Sequence, residues 1–408
     1  MQIQCLRCKG RGFCGRSFCP ILAKSEALFK VKQRSIKEDF FGSAPTPFVG
    51  HHGYPFLNVG ILSVFEIKEN AWEYDTPRYW ANENFQIPQI IDFRSALLNS
   101  RFKAHAHDRN KLLDISQEVG MASKPVDIEI NLEDKPRFRL NTDAYTAPTG
   151  PNAKLRKAEI TSNPKVHTKV DKVVSDNDLK ANNALIYLYE NEFDENFLTR
   201  LLSIGTLGVK KSRKLVPTRW SITACDDIIA KHLVEQVKQY NEIDYQAYFG
   251  SYLGNYYLIL FFPEKWSYEL FEMYLPKASW NISTEINYMT DYEGYDGRKN
   301  YAENCGGGYY SVRLPVLEKL NELKRQGSVL ALRFITGEYA VPLGVWVTRE
   351  ATRKALSKKP IEFSDRELML KYAKALIKKK FNYDLDNLLK ESIILKNMRE
   401  QMKLSRFF

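Results

Sequence analysis

No stretch of this 408-residue sequence holds the roughly 18 consecutive apolar residues that a membrane-spanning helix needs. The longest apolar run, YYLILFF at 256–262, is bounded by Gly254 and Pro263 and reads as a buried strand. The opening residues, MQIQCLRCKGRGFCGRSFC, lack the apolar core of a secretory signal and are thick with Arg, Lys and Gly. No internal repeat, low-complexity tract or Walker-type phosphate loop occurs. The expected location is therefore the cytoplasm, associated with the nucleoid. Cysteine is scarce there as a disulfide former, and the chain has only six. Acidic residues are the minority charge: Asp and Glu number 49 against 60 Lys and Arg, for a net charge of +11. That excess suits a polyanionic partner such as nucleic acid. A 44 % hydrophobic and 13 % aromatic content excludes global disorder, and the length calls for two or three domains.

Four of the six cysteines fall within the first 19 residues: Cys5, Cys8, Cys14 and Cys19, spaced C-x2-C-x5-C-x4-C. The Cys5–Cys8 pair is the knuckle by which two thiolates grip one metal, and Gly10, Gly12 and Gly15 give tight backbone between the pairs. Four thiolates in tetrahedral array suit structural zinc, with an iron–sulfur cluster as the alternative. A segment so short and polar has no core of its own, so unligated thiols would leave the clustering unexplained. Arg7, Lys9, Arg11 and Arg16 offset the thiolate charge and could also face phosphate. Cys225 and Cys305 are isolated and read as packing residues.

The rest predicts an α+β chain with a mixed or antiparallel strand-rich core. Its expected divisions are a zinc module at 1–22, the core in two parts at 23–150 and 151–360, C-terminal helices at 361–397 and a tail at 398–408. The stretch 46–67 is a loop running into a strand, with His51 and His52 between two glycines, facing solvent or substrate rather than a metal. Residues 92–107 look helical, VDIEINLE alternates as a half-buried strand, and 141–165 reads as a loop or linker. Helical pattern returns at 170–203. After residue 363 the chain is helical, with Ser364 as N-cap, Glu367 as its capping-box partner and Phe363–Leu368 as the staple.

Two internal stretches carry candidate chemistry. In GTLGVKKSRKLVPTRW, glycines lead into Lys210, Lys211, Arg213 and Lys214, followed by Arg219 and Trp220. A glycine-flexed basic loop beside an aromatic suits phosphate-backbone contact, the bland alternative being a solvated turn. Further on, Asp291, Glu293, Asp296 and Glu303 precede three glycines, Gly306 to Gly308, and a Tyr-Tyr pair read as a strand. A carboxylate cluster of this kind could hold Mg²⁺ or act as general acid and base, against the alternative of a polar surface loop.

The last eight residues, QMKLSRFF, place Leu404, Phe407 and Phe408 at i, i+3, i+4, one face of a single helical turn, with Gln401 one turn upstream. This spacing resembles the peptide by which clients dock on the DNA sliding clamp. Together with the four-cysteine start, GYP…VG (53–60) and LLSIGTLGVKKSRKLVPTRWSIT (201–223), it resembles the archaeal Nre (NreA-type) DNA repair proteins over nearly the whole chain. The resemblance implies a DNA-damage role and binding to the clamp PCNA through Gln401, Leu404, Phe407 and Phe408, and it carries the zinc reading onto the four cysteines. The alternatives are an enzyme acting on damaged DNA, a nuclease or base-acting hydrolase using the 291–303 carboxylates, and an RNA-binding zinc protein.

Overall fold

Prolines and glycines cut the first two hundred residues into short strands, and alternation of apolar with polar side chains then decides which face of each strand turns inward. A computed structural model describes residues 8, 10–11, 13, 19–33, 37–138, 147–276, 278, 280–281 and 283–400. It divides into two units, the first covering residues up to Ile229 with Val341–Leu343, the second the remainder.

The first unit is built on a curled sheet of β1 (Asp39–Ala44), β2 (Thr46–Val49), β3 (Phe56–Ser63), β4 (Leu98–His105), β5 (Val126–Leu132) and β6 (Asn152–Ile160). The strand order is β1-β5-β6-β4-β3-β2. The two edge strands are one continuous stretch of chain, kinked at Pro45, so the sheet closes on itself. At the seam, Ser43 donates its N–H to the Glu66 carbonyl (3.2 Å) and accepts from Val64 N–H (3.0 Å), while its other edge pairs with Asp127 of β5. Gly42 is required there, because a Cβ would lie 2.0 Å from the Val64 carbonyl oxygen. The half-buried Arg200 donates to the carbonyl of Pro45 at the kink (2.7 Å) and to that of Ala122 (2.8 Å). All pairings are antiparallel except β4 with β6. Inward Leu57, Val59, Ile61, Phe102, Ile128, Ile130 and Leu155 form one core with Leu113, Ile115 and Val119. The last three come from the helix between β4 and β5.

The helices of this unit are α1 (Pro20–Lys32), α2 (Pro77–Asn82), α3 (Ile87–Ala96), α4 (Lys111–Met121), α5 (Thr168–Ser175), α6 (Ala181–Glu190) and α7 (Glu195–Ser203). The unit boundary falls within α8 (Thr218–Val237). Two expectations need correction. Residues 92–107 are not one helix: α3 ends at Ala96 and β4 begins at Leu98, its period of two blurred because inward Ser100 and Ala104 are weakly apolar. The 141–165 linker contains β6, whose inward Ala153 and Ala158 gave little hydrophobic signal beside the prolines.

The second unit holds β7 (Asn241–Glu242), β8 (Tyr245–Tyr252), β9 (Asn255–Phe262), β10 (Ser267–Tyr274), β11 (Asn287–Glu293), β12 (Arg325–Gln326), β13 (Ser328–Ile335) and β14 (Ile361–Phe363). Its main sheet has the order β11-β10-β13-β9-β8-β14, with β10 and β13 parallel. Every residue of β13 is buried, as a central strand covered on both faces requires. Helices α9 (Gly307–Leu323) and α10 (Trp346–Leu356) cover one face, and α11 (Arg366–Phe381), α12 (Asp386–Glu391) and α13 (Ile393–Glu400) the other.

The Tyr309–Tyr310 strand expected after the three glycines is instead the first turn of α9. That helix is buried almost all round from Gly308 to Leu317 and contains Pro315, so no amphipathic stripe marked it as helical. The triple glycine has a structural cause: Gly306 caps the helix with φ +54°, and a Cβ on Gly308 would lie 2.3 Å from Glu272 Oε1. At α11 the N-cap is Asp365, which accepts from Leu368 N–H (2.9 Å), rather than Ser364. The staple does not form either. Leu368 is exposed and Phe363 packs on Tyr372.

Candidate nucleic-acid interface

Residues 204–217 form an irregular loop between α7 and α8 that backbone hydrogen bonds tie to the curled sheet. Leu215 donates its N–H to the carbonyl of Ala106 (2.8 Å), just past β4, and its side chain enters the barrel core. Val216 N–H donates to the Ser203 carbonyl (2.9 Å). The loop thus comes to rest beside the end of β4, with Lys210, Lys211 and Lys214 exposed. Arg213 plays another part. It is half-buried and donates to the carbonyls of Gly208 (2.7 Å), Val174 (2.8 Å) and Asp176 (2.7 Å). Three of its five N–H donors hold the loop's shape, leaving two for phosphate.

The chain after the loop is fixed equally firmly. The Thr218 hydroxyl, at the start of α8, accepts from Val49 N–H at the end of β2 (2.9 Å) and shares a hydrogen bond with Ser203 (2.9 Å). That contact carries Arg219 and Trp220 to the turn joining β2 and β3, where Trp220 meets Tyr54 with ring centroids 5.3 Å apart. His51 and His52 lie in the same turn, their rings 3.9 Å apart. Burial, His52 and Arg219 together hold the His51 imidazole below its ordinary pKa, so it favours the neutral form.

The outward row of β3 is Phe56, Asn58, Gly60 and Leu62; that of β4 is His105, Lys103, Arg101 and Asn99, opposite them in register. None of these is acidic. Phe56 contacts the His105 ring edge-on at 5.1 Å. Arg101 hydrogen-bonds Asn152 of β6 and lies opposite Lys154 in register. Exposure of large rings here is unusual for a sheet face: Phe56 is 66 % exposed, Trp220 47 %, Tyr54 42 % and Phe48 38 %. Sequence reasoning singled out the histidines and Arg219 but missed Tyr54, Phe56, Arg101, Lys103 and Lys154. Which way those side chains point depends on strand register.

The carboxylates of the second unit are not gathered around one point. Asp291 and Glu293 lie on β11 and are buried; Asp291 pairs with Arg298 (3.1 Å) and accepts the Cys305 N–H (2.7 Å), and Glu293 pairs with Arg313 (2.6 Å). Asp296 and Glu303 are exposed. Among the described residues no cluster of three or more His, Cys, Asp or Glu is placed to hold a metal ion. Burial, with Glu272 and Asp291 nearby, pushes the Cys305 thiol far above its ordinary pKa, which fits packing rather than nucleophilic chemistry. Of the N-terminal cysteines, Cys8 is buried and Cys19 half-buried, while Cys5 and Cys14 lie outside the described residues. Gln401, Leu404, Phe407 and Phe408 lie outside them too.

Two family patterns together match most of this chain: "Archaeal Nre, N-terminal" over residues 13–281 and "Archaeal Nre, C-terminal" over 293–407. The chain belongs to the archaeal Nre family. It is 35 % identical to the DNA repair protein NreB of Archaeoglobus fulgidus over 98 % of both chains. It is 38 % identical to the DNA repair protein NreA of Haloferax volcanii over 77 % of each chain. With the NreA of A. fulgidus it shares 37 % identity over 89 % of this chain and 91 % of the relative. No solved structure matches this Nre chain. Among the described residues, no helix is long and apolar enough to cross a membrane.

Proposed function

We propose that this chain is a DNA repair factor that contacts DNA through the exposed cations of the 210–219 loop and is brought to the sliding clamp PCNA by its last eight residues. The observation that carries the reading is similarity along 98 % of the length to a relative named a DNA repair protein. The net charge of +11 and the exposure of Lys210, Lys211, Lys214 and Arg219 support a DNA contact. Binding to phosphate releases counterions, so each lost contact makes the salt dependence shallower by about 0.9 in log–log slope on duplex DNA. Changing Lys210, Lys211 and Lys214 together to Ala is expected to weaken binding to all sequences alike and to flatten that slope by roughly 2 to 3. Anisotropy titrations from low to moderate salt measure it. A variant that tracks the wild-type curve throughout returns the loop to a solvated turn.

The proposal includes a structural zinc on Cys5, Cys8, Cys14 and Cys19. Four thiolates are a donor set that zinc fills completely, leaving no open position, and the metal would supply folding energy to a segment too small for a core. The surrounding Arg7, Lys9, Arg11 and Arg16 would compensate the thiolate charge. Elemental analysis of the purified chain is expected to give one zinc per molecule, falling to near zero when Cys5 and Cys8 are changed to Ser. Zinc-free protein with an intact fold, or iron in its place, would refute it.

A further inference from the structure

The connectivity of the curled sheet identifies its class. Taking β1 and β2 as one bent strand, the barrel has five strands, S1 to S5, made of β1/β2, β3, β4, β5 and β6 in turn. Their closed order is S1-S2-S3-S5-S4-S1, with only S3 and S5 parallel. A helix, α4, connects S3 to S4 and packs into the barrel core. This is the order and direction of strands in the OB barrel, whose outer S2–S3 face and S1–S2 loop are where oligonucleotides or oligosaccharides bind on that scaffold. Here S2–S3 is β3–β4, and the S1–S2 loop is the Gly50–Pro55 turn.

We infer that this face binds single-stranded DNA, with Tyr54, Phe56 and Trp220 as stacking platforms and Arg101, Lys103 and Lys154 along the phosphate path. The inference rests on the reading of the chain as a DNA-acting protein and names the form of DNA it takes. The side chains present decide the class of ligand. Cations with no acidic residue among the outward positions of β3 and β4 call for an anion, which disfavours a neutral oligosaccharide. Exposed rings have no role on stacked duplex DNA, whose base faces are covered, but each can take one unstacked base. The rings stand in the turn, at the start of β3 and at the start of α8, while the cations continue along β4 and onto β6, where the exposed Lys154 would exchange its ion pair with Glu133 for phosphate, so bases and backbone have separate tracks. The basic loop adjoins the same surface through the Leu215–Ala106 hydrogen bond, which extends the phosphate path beyond the barrel.

The test uses the full chain and labelled 20-nucleotide single strands of DNA, the matching duplex and RNA of the same sequence. Wild-type protein is expected to prefer single-stranded DNA over duplex. Phe56→Ala and Trp220→Ala should each weaken the single-strand complex about tenfold, since stacking on one base is worth roughly that factor, while duplex binding changes less than about twofold. Phe56→Tyr keeps a ring and should restore binding. Both side chains are exposed, so thermal unfolding should stay at the wild-type temperature and exclude misfolding. Single-strand binding unaffected by either alanine overturns the assignment of this face but leaves the DNA-binding reading standing. Binding to no form of DNA overturns both. RNA held tighter than DNA overturns the choice of ligand.

Discussion

Arg333→Met is expected to lower the stability of the second unit by about 3–5 kcal/mol, the usual cost of removing one partner from a buried ion pair. For a domain of this size that is a drop in Tm of roughly 10 °C or more. Arg333 lies on the central strand β13, facing α9, and is buried with Glu272 of β10. Its guanidinium pairs with Glu272 Oε1 and donates to Asn255 Oδ1 from Nε (3.1 Å) and Nη2 (2.6 Å). Without it, the Glu272 carboxylate keeps the Tyr274 hydroxyl as a donor (3.3 Å) but loses its buried cation, and the Asn255 oxygen loses both guanidinium donors. Glu272→Gln should cost less, because the amide oxygen still accepts from Arg333. The double change Arg333→Met with Glu272→Met should recover part of the loss, since two apolar groups leave no orphan charge. Calorimetry of the three variants measures the coupling. If Arg333→Met alone melts at the wild-type temperature, the pair contributes nothing and the charges are solvated by a route the fold does not show.

That buried pair illustrates which parts of the molecule could be read from the sequence. Strand β9, a run of apolar residues closed by Gly254 and Pro263, was legible because length and punctuation suffice for a buried strand. So was β5, whose alternation is complete from Val126 to Leu132. Helix α9 was not, because burial on all sides erases the stripe that distinguishes helix from strand. The three glycines before it suggested a cleft. Gly306 serves the positive φ of the helix cap, and Gly308 makes room for the side chain of Glu272, 36 residues away in sequence, a contact that no local pattern encodes. The same limit applies to the barrel. Tyr54 and Phe56 sit in a turn recognisable from its glycines and proline, yet their alignment with Lys103 and His105 is a matter of β3–β4 register. Closure of the sheet depends on one chain segment, bent at Pro45, pairing on both sides, and sequence periodicity says nothing about which partners it takes.

The remaining large effect concerns the last eight residues, whose proposed partner is the clamp. The final helix leading to them is well anchored. Glu269 of β10 caps it, accepting from the Ser392 hydroxyl (2.6 Å) and from the N–H groups of Ile393 (3.0 Å) and Ile394 (3.2 Å), and Ile394 and Leu395 are buried in the second unit's core. Helix α13 is described as far as Glu400, the residue before Gln401 in sequence. A peptide of this length nucleates helix poorly in water by itself. Its turn would therefore form on a partner whose apolar groove receives Leu404, Phe407 and Phe408 together. Burying these three side chains gains several kcal/mol gross, and ordering them offsets part of it. The net is on the order of −7 to −8 kcal/mol, a micromolar dissociation constant. Phe407→Ala with Phe408→Ala removes most of the apolar area and should abolish clamp binding, while the melting temperature and zinc content stay as in the wild type. A synthetic peptide of residues 398–408, titrated into the clamp by calorimetry, should bind as tightly as the full chain to within a few-fold. Full-length protein that still binds after loss of both phenylalanines would place the interface elsewhere, because Met402 and Leu404 by themselves carry too little apolar area to hold the segment on the clamp.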